Sequence, residues 1–259
     1  MGTVSKALTL LEYFSRSRVE IGLTEMTRLS GMNKATVYRL LSELQEQGFV
    51  EQVGSGREYR LGPVFLRLAA LREAAVPVRE AADNVLRDLS KATGETAHFS
   101  MLQGESLSLV SFVYSSEHGT RVTMEDAEVI ALHATSSGMA TLAYSAPGFV
   151  DNLLSKPLKK HTPHTLTDPE KIREILSEAR RNGVVESVSG FEEDVHSHAS
   201  PVFDASQTCI GAIAVAAPVA RMDAALKARI IPEVKRAALE LTRLMGGFAP
   251  QEFKEKVAA

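Results

Sequence analysis

Residues 33–48 constrain this chain more than any other stretch. Asn33, a preferred helix N-cap, precedes an apolar stripe at Val37, Leu40, Leu41 and Leu44, and Gly48 closes the pattern as a left-handed C′ residue. The spacing i, i+3, i+4, i+7 predicts one amphipathic helix that must be covered by a small packed domain. The flanks supply the cover. Upstream, Val4, Ala7, Leu8, Leu11 and Phe14 predict an apolar face on a first helix over residues 4–15. A second short helix is expected from an N-cap at Thr24, with Thr27 at N3, through Met26 and Leu29 to a tight turn at Ser30-Gly31. Downstream, residues 49–53 alternate like a strand. Gly54-Ser55-Gly56 suits a turn with positive φ, and residues 57–61 return as a second strand.

Two helices joined by a glycine turn and followed at once by a hairpin make a winged helix-turn-helix. The outer face of the 33–48 helix carries Lys34, Ala35, Thr36, Tyr38, Arg39 and Ser42, gathered toward the N-terminal end that a recognition helix presents to base edges. Lys and Arg bond guanine or phosphate, and Thr and Tyr reach phosphates or a thymine methyl. Any solvated helix face can carry such residues; the elements on both sides select the DNA-reading role. The candidate contacts to double-stranded operator DNA are Asn33, Lys34, Thr36, Tyr38 and Arg39 on the helix, with Ser55 and Arg57 on the wing, which can meet phosphate or the minor groove.

The net charge of −3 opposes that reading until it is divided. Residues 1–76 hold ten Lys/Arg against eight Glu and no Asp, a balance of +2 that leaves −5 on the remainder. The sign suits a small phosphate-facing domain carried by an acidic one. A length of 259 residues suggests two domains. No apolar run approaches the ~18 uncharged residues of a membrane span, and the N-terminus lacks a signal-peptide pattern, so a cytoplasmic protein without membrane contact is expected. Cys209 is the only cysteine, which excludes an intramolecular disulfide and a cysteine-based zinc finger.

Residues 63–77 read as a linker helix, apolar from Val64 to Leu71 and stopped by Pro77. Such a helix docks on a partner subunit or on its own domain. Beyond it the pattern turns mixed: a helix over 78–93, strands over 96–102 and 106–113 around the turn Gln103-Gly104-Glu105, and a small-residue helix over 136–144. A helix over 168–182 follows, with Asp168 as N-cap, Pro169 at N1 and Gly183 at C′. Strands over 195–203 and 209–216 flank a polar turn, and a last helix is expected over 231–245. The fold class is α+β: a winged helix-turn-helix over 1–62, the linker helix over 63–77, and an α/β effector-binding domain over 78–259.

In order and spacing, the chain resembles the IclR family of bacterial transcription regulators along nearly its whole length. The resemblance rests on Ser5-Lys6-Ala7-Leu8, Leu23-Thr24-Glu25-Met26, the run from Asn33 to Leu41, and Tyr59-Arg60-Leu61-Gly62. In the second half it rests on the run from Leu132 to Ala140, Gly190 to Val195, Ser200 to Asp204 and Gly211 to Val215. It implies a GAF-like effector domain, a homodimer or homotetramer, no cofactor, and control of catabolic or stress genes, with repression the expected sign. Two winged helices related by a two-fold axis would read a palindromic operator.

The resemblance also places the effector between the start of the small-residue helix and the strand after the acidic segment. Here that means His133, Ser136, Ser137, Gly138, Asp194, His196, Ser197 and His198. A helix N-terminus offers free N–H groups and a positive dipole end to a carboxylate, and serine hydroxyls add donors or serve as caps. Four positions depart from the family's pattern: Gly190 replaces a usual Glu, Asp194 a usual glycine, and Ala214 and Ala216 stand where hydroxyl residues are frequent in members that bind small keto acids. A larger, more apolar acid or aldehyde is therefore expected rather than a two- or three-carbon acid.

His196-Ser197-His198 is the most individual feature. Residues i and i+2 of a strand share a face, so both imidazoles could meet a ligand, or a zinc or nickel ion completed by His98 or His133, or serve a structural role. Alternation puts Ser197 on the opposite face, so the two assignments compete for the interior. An enzyme is not expected: the chain has no Gly-x-Ser-x-Gly elbow, no His-Glu-x-x-His and no phosphate-cradling glycine loop.

Overall fold

A computed structural model of the chain describes residues 2–14, 18–52, 57–75, 78–124 and 129–258. They form two compact units, residues 1–77 and 78–259.

The first unit begins with α1 (Thr3–Leu11), which ends earlier than the pattern suggested. Its buried residue is Leu10, flanked by half-buried Ala7 and Leu11, whereas Val4 and Leu8 are exposed. Five apolar residues on so short a helix define two overlapping stripes, and packing selects the one through Leu10. A two-residue strand β1 (Ile21–Gly22) leads directly into α2 (Leu23–Ser30). Because Ile21 pairs with Tyr59, the helix starts two residues early and Gly22 occupies the N-cap. Thr24 therefore lies inside the first turn, and Thr27 Oγ1 donates back to the Leu23 carbonyl at 2.7 Å. Gly31 takes the left-handed conformation that turns the chain toward α3 (Lys34–Glu46).

Helix α3 buries Val37, Leu40, Leu41 and Leu44 against Leu10, Ile21, Met26, Val50 and Tyr59. Each large apolar side chain withdrawn from water contributes about 1.5–3 kcal/mol, and this cluster is the buried core of the unit among the described residues. Strands β2 (Val50–Gln52) and β3 (Glu58–Leu61) follow, in a sheet ordered β1-β3-β2. Glu51 sits opposite Arg60 and pairs with it at 2.6 Å. The wing tip, including Gly54, Ser55 and Gly56, lies outside the described residues. At the end of β3, Gly62 donates to the Phe49 carbonyl at 2.8 Å, and a Cβ there would stand 2.2 Å from the Gly48 carbonyl oxygen. Only glycine fits that approach. Helix α4 (Val64–Ala75) then sets Phe65 edge-on to Phe49, with Leu66, Leu68 and Leu71 exposed.

The second unit starts with α5 (Val78–Thr93) and the hairpin β4 (Thr96–Gln103) and β5 (Ser106–Val113). Next come β6 (Val129–Ile130), α6 (Ser136–Ala143), α7 (Pro147–Leu154) and α8 (Pro169–Asn182). Asp168 caps α8 through the amides of Glu170 and Lys171, and Gly183 ends it left-handed. Strands β7 (Val185–Val188), β8 (Val195–Phe203) and β9 (Cys209–Pro218) complete a sheet ordered β6-β5-β4-β9-β8-β7, every pair antiparallel.

Helix α9 (Ala224–Leu244) begins seven residues before the expected 231, capped by Asp223, whose carboxylate accepts from Leu226 N–H at 2.7 Å. Pro232 sits in mid-helix. One lost backbone bond is outweighed by the buried stripe Leu226, Ile230, Val234, Ala237 and Leu241. Helix α10 (Gln251–Ala258) seats Phe253 on the same core.

The sheet divides two cores. Val85, Phe99, Ile213, Val215 and Ala217 pack with α5 and α9 on one face. Ala199, Ala212, Ala214 and Val185 pack with α6, α7 and α8 on the other. Alternation along each strand thus sends neighbouring residues into separate compartments.

Candidate functional site

On the first unit, the N-terminal end of α3 is built for contact with something outside it. Asn33 Oδ1 accepts the Thr36 amide at 2.8 Å, which fixes the helix start and engages the acceptor of Asn33 in the cap. Lys34, Ala35, Tyr38 and Arg39 are exposed, while Thr36 and Ser42 are half-buried. Tyr38 is 56% exposed, unusual for so large an aromatic. Among the described residues, Lys34, Arg39 and Arg57 join no ion pair, whereas Arg18, Arg28 and Arg60 are each paired to a glutamate. Cations held on a helix tip without internal partners are available to phosphates and base edges.

On the second unit, a cleft of about 560 Å³, open mouth included, lies on the α6 face of the sheet. Its polar floor is made where α6 meets β8 and β4. Thr135, not Ser136 or Ser137, caps α6: its Oγ1 accepts from Gly138 N–H at 3.0 Å. That frees both serine hydroxyls. Ser136 Oγ donates to Ser197 Oγ at 2.8 Å, and Ser137 Oγ lies 3.3 Å from His98 Nε2. Burial holds the His98 imidazole down to about 4, so the ring is neutral, and its Nδ1 has no hydrogen-bond partner. The first amides of a helix have no intrahelical partner, and with Gly138 capped, those of Ser136 and Ser137 remain.

The walls are apolar. Val122 and Met124 come from the segment after β5, Ile130 from β6, Phe191 from the β7–β8 connection and Val195 from the start of β8. Thr96 Oγ1 donating to the Val122 carbonyl at 2.8 Å, and Tyr114 Oη bonded to both backbone groups of Met124, hold the first wall in place. Thr165 Oγ1 donating to the Gly190 carbonyl at 2.6 Å holds the second. No Lys or Arg is among the described lining residues; Glu192 is their one acid.

Of the eight residues expected at the effector position, the cleft brings together Ser136, Ser137 and Ser197. Gly138 does not line it; it is needed for packing, since a Cβ there would stand 2.3 Å from the Leu132 carbonyl oxygen. His133 lies behind, bonded to the Lys159 carbonyl at 2.9 Å and near His161, whose ring meets Phe191. Asp194 is exposed outside the lining, its carbonyl accepting from Val219 N–H. His196 and His198 lie on the opposite face of the sheet, as alternation with Ser197 requires. They do not converge with His98 or His133. The competition foreseen between Ser197 and the histidines does not arise, because both faces of the sheet are covered. His98 in a ligand-facing role was not expected, nor were the apolar walls. Strand register signals His98: it sits opposite Ala214, two residues from the Ala216 that pairs with Ser197.

A helix-turn-helix with a wing, joined in one chain to an α/β domain with a polar-floored cleft, defines a DNA-binding regulator that responds to a small molecule. Comparison with known proteins gives the family. Residues 3–54 match the IclR helix-turn-helix domain and residues 72–243 match the bacterial transcriptional regulator IclR C-terminal domain. The chain belongs to the IclR family, whose members are transcription regulators and not enzymes. It is 59% identical to an IclR-type regulator from Silicibacter sp. TM1040, with a TM-score of 0.89 over 98% of this chain and 99% of that one. It is 30% identical to the HTH-type transcriptional regulator BhcR of Paracoccus denitrificans, over 96% of this chain and 88% of that protein. An IclR homolog from Microbacterium hydrocarbonoxydans, solved in complex with 4-hydroxybenzoate, shares the fold at a TM-score of 0.59 and 23% identity, over 95% of this chain and 99% of that one.

Proposed function

We propose that this regulator represses a catabolic operon and is released from its operator by an organic acid or aldehyde with an apolar body, bound in the α6–β8 cleft. The observation that carries this reading is the polar floor of Ser136, Ser137, Ser197 and neutral His98 beneath walls of Val122, Met124, Ile130, Phe191 and Val195. Hydroxyls, helix-terminal amides and a neutral imidazole hold a carboxylate or carbonyl oxygen. The apolar walls favour an aryl or branched body, and the 4-hydroxybenzoate held by the Microbacterium homolog is of that class. Alanine at 214 and 216 removes hydroxyls that would suit a smaller keto acid.

On the DNA side, Lys34, Tyr38 and Arg39 read the major groove and Arg57 meets a phosphate, with Asn33 and Thr36 setting the helix start. Ser55 at the wing tip is proposed from sequence alone. The DNA-binding domain spans residues 1–62 and α4 links it to the effector domain. Leu66, Leu68 and Leu71 on α4, with Val4 and Leu8 on α1, are exposed apolar residues suited to a second copy, which supports a homodimer reading a two-fold operator. No helix among the described residues is long and apolar enough to cross a membrane.

The test is a gel shift on the promoter beside the gene, repeated with 4-hydroxybenzoate, a branched-chain keto acid, pyruvate and glyoxylate, alongside thermal shift. Release and stabilisation by one of the larger compounds are expected. Stabilisation only by pyruvate or glyoxylate would overturn the ligand class.

A further inference from the structure

On the sheet face opposite the cleft, Glu186 of β7 and His196 and His198 of β8 gather one ligand atom each within 4.8 Å. Glu186 pairs directly with His198 across the strands. His196 Nε2 lies 2.7 Å from Glu186 Oε1, and His198 Nε2 lies 3.6 Å from the same oxygen. The two rings stack at 5.2 Å and 18°. Lys227 of α9 takes the other carboxylate oxygen at 2.5 Å and fixes its orientation.

His198 is the telling member. It is 1% exposed, and neither ring nitrogen has a hydrogen bond. Buried polar groups in folded proteins are partnered almost without exception, and leaving both nitrogens of an imidazole unmatched is costly. Its distance to Glu186 is too long for a hydrogen bond.

We propose that Glu186, His196 and His198 form a binding site for a divalent first-row transition metal of the zinc class. Two imidazoles and one carboxylate select zinc, nickel, cobalt or copper over magnesium or calcium, which take oxygen ligands. Metal–ligand bonds of about 2.0–2.1 Å imply ligand edges of about 3.3 Å in a tetrahedron, and the two contacts to Glu186 Oε1 bracket that value. A fourth position is left for water. The ion would tie β7 to β8 at the base of the connection that carries Phe191 into the cleft, with Ser197 facing the cleft between the two ligands.

The test uses the full chain without an affinity tag, stripped with chelator and titrated with zinc chloride by calorimetry, with cobalt absorption as the spectroscopic readout. One ion per chain is expected. Glu186→Gln, at an exposed residue, should weaken binding at least tenfold, and His196→Ala should do the same, with circular dichroism unchanged in each. Failure of the parent chain to bind zinc stoichiometrically, or binding that both substitutions leave unchanged, would reduce the cluster to a hydrogen-bonded ion pair and overturn the proposal.

Discussion

Ser136 Oγ donates to Ser197 Oγ at 2.8 Å, joining the first turn of α6 to strand β8 across 61 residues of sequence. The pair is buried yet faces the cleft, so the two hydroxyls are partnered to each other and available to a ligand. Ser197→Ala removes the acceptor. The expected loss of stability is about 1 kcal/mol, because water entering the cleft can replace the bond. Loss of ligand response should be far larger. Denaturant unfolding and ligand-induced thermal shift, measured on the same variant, separate the two effects.

Gly138 plays a different part from its serine neighbours. The contact its Cβ would make with the Leu132 carbonyl forces the start of α6 away from the preceding turn. Gly138→Ala should destabilise the chain by about 1–3 kcal/mol, as overpacking does, and weaken ligand binding only through that movement. Thermal unfolding of Gly138→Ala beside Thr135→Ser, which keeps the cap, checks the assignment.

Arg221 Nη2 donates to Glu95 Oε2 at 2.7 Å and to the Thr120 carbonyl at 3.1 Å, so it ties the end of β9 to the start of β4 and to the segment that becomes the Val122 wall. Glu95 is 2% exposed. Arg221→Ala leaves that carboxylate buried and unpaired, for which about 3 kcal/mol is expected. The melting temperature should fall on the order of 10 °C, whereas Arg236→Ala, at a surface pair, should move it by a degree or two.

His98 makes stability sensitive to acid. Its folded-state value of about 4 lies below the ordinary 6.5 because burial disfavours the imidazolium. Below 6.5 the unfolded chain takes a proton that the folded chain refuses, so this contribution is fully present above about pH 6.5 and is lost as pH falls toward 4. One such group accounts for about 3 kcal/mol over that window. Denaturant midpoints between pH 7 and 4 should fall less steeply in His98→Asn than in the parent chain.

Much of the fold was legible where local chemistry and tertiary packing agree. Asn33, Asp168 and Gly183 terminate helices as their side chains or lack of one dictate, and the limits of α5 and β5 follow from periodicity alone. The misreadings share a cause. Thr24 looked like a cap until the pairing of Ile21 with Tyr59 moved the helix start, and the last helix, expected from 231, begins at Ala224 because Leu226 and Ile230 are buried with it. In the site, the serines at a helix start and on a strand followed from the resemblance to the IclR family. His98, Glu186 and the apolar walls could not, because strand order and register decide which faces they share, and β7 was too short to stand out.

The central claim is that α3 reads DNA through Lys34, Tyr38 and Arg39. Its most direct test is fluorescence anisotropy of a labelled promoter duplex titrated with parent chain and Arg39→Ala at several salt concentrations. If Arg39 contacts DNA, the substitution should weaken binding about tenfold or more; loss of a phosphate contact would also lower the salt slope by about one, and loss of a base contact would relax sequence preference. Affinity, salt slope and sequence preference all unchanged in Arg39→Ala would contradict the account.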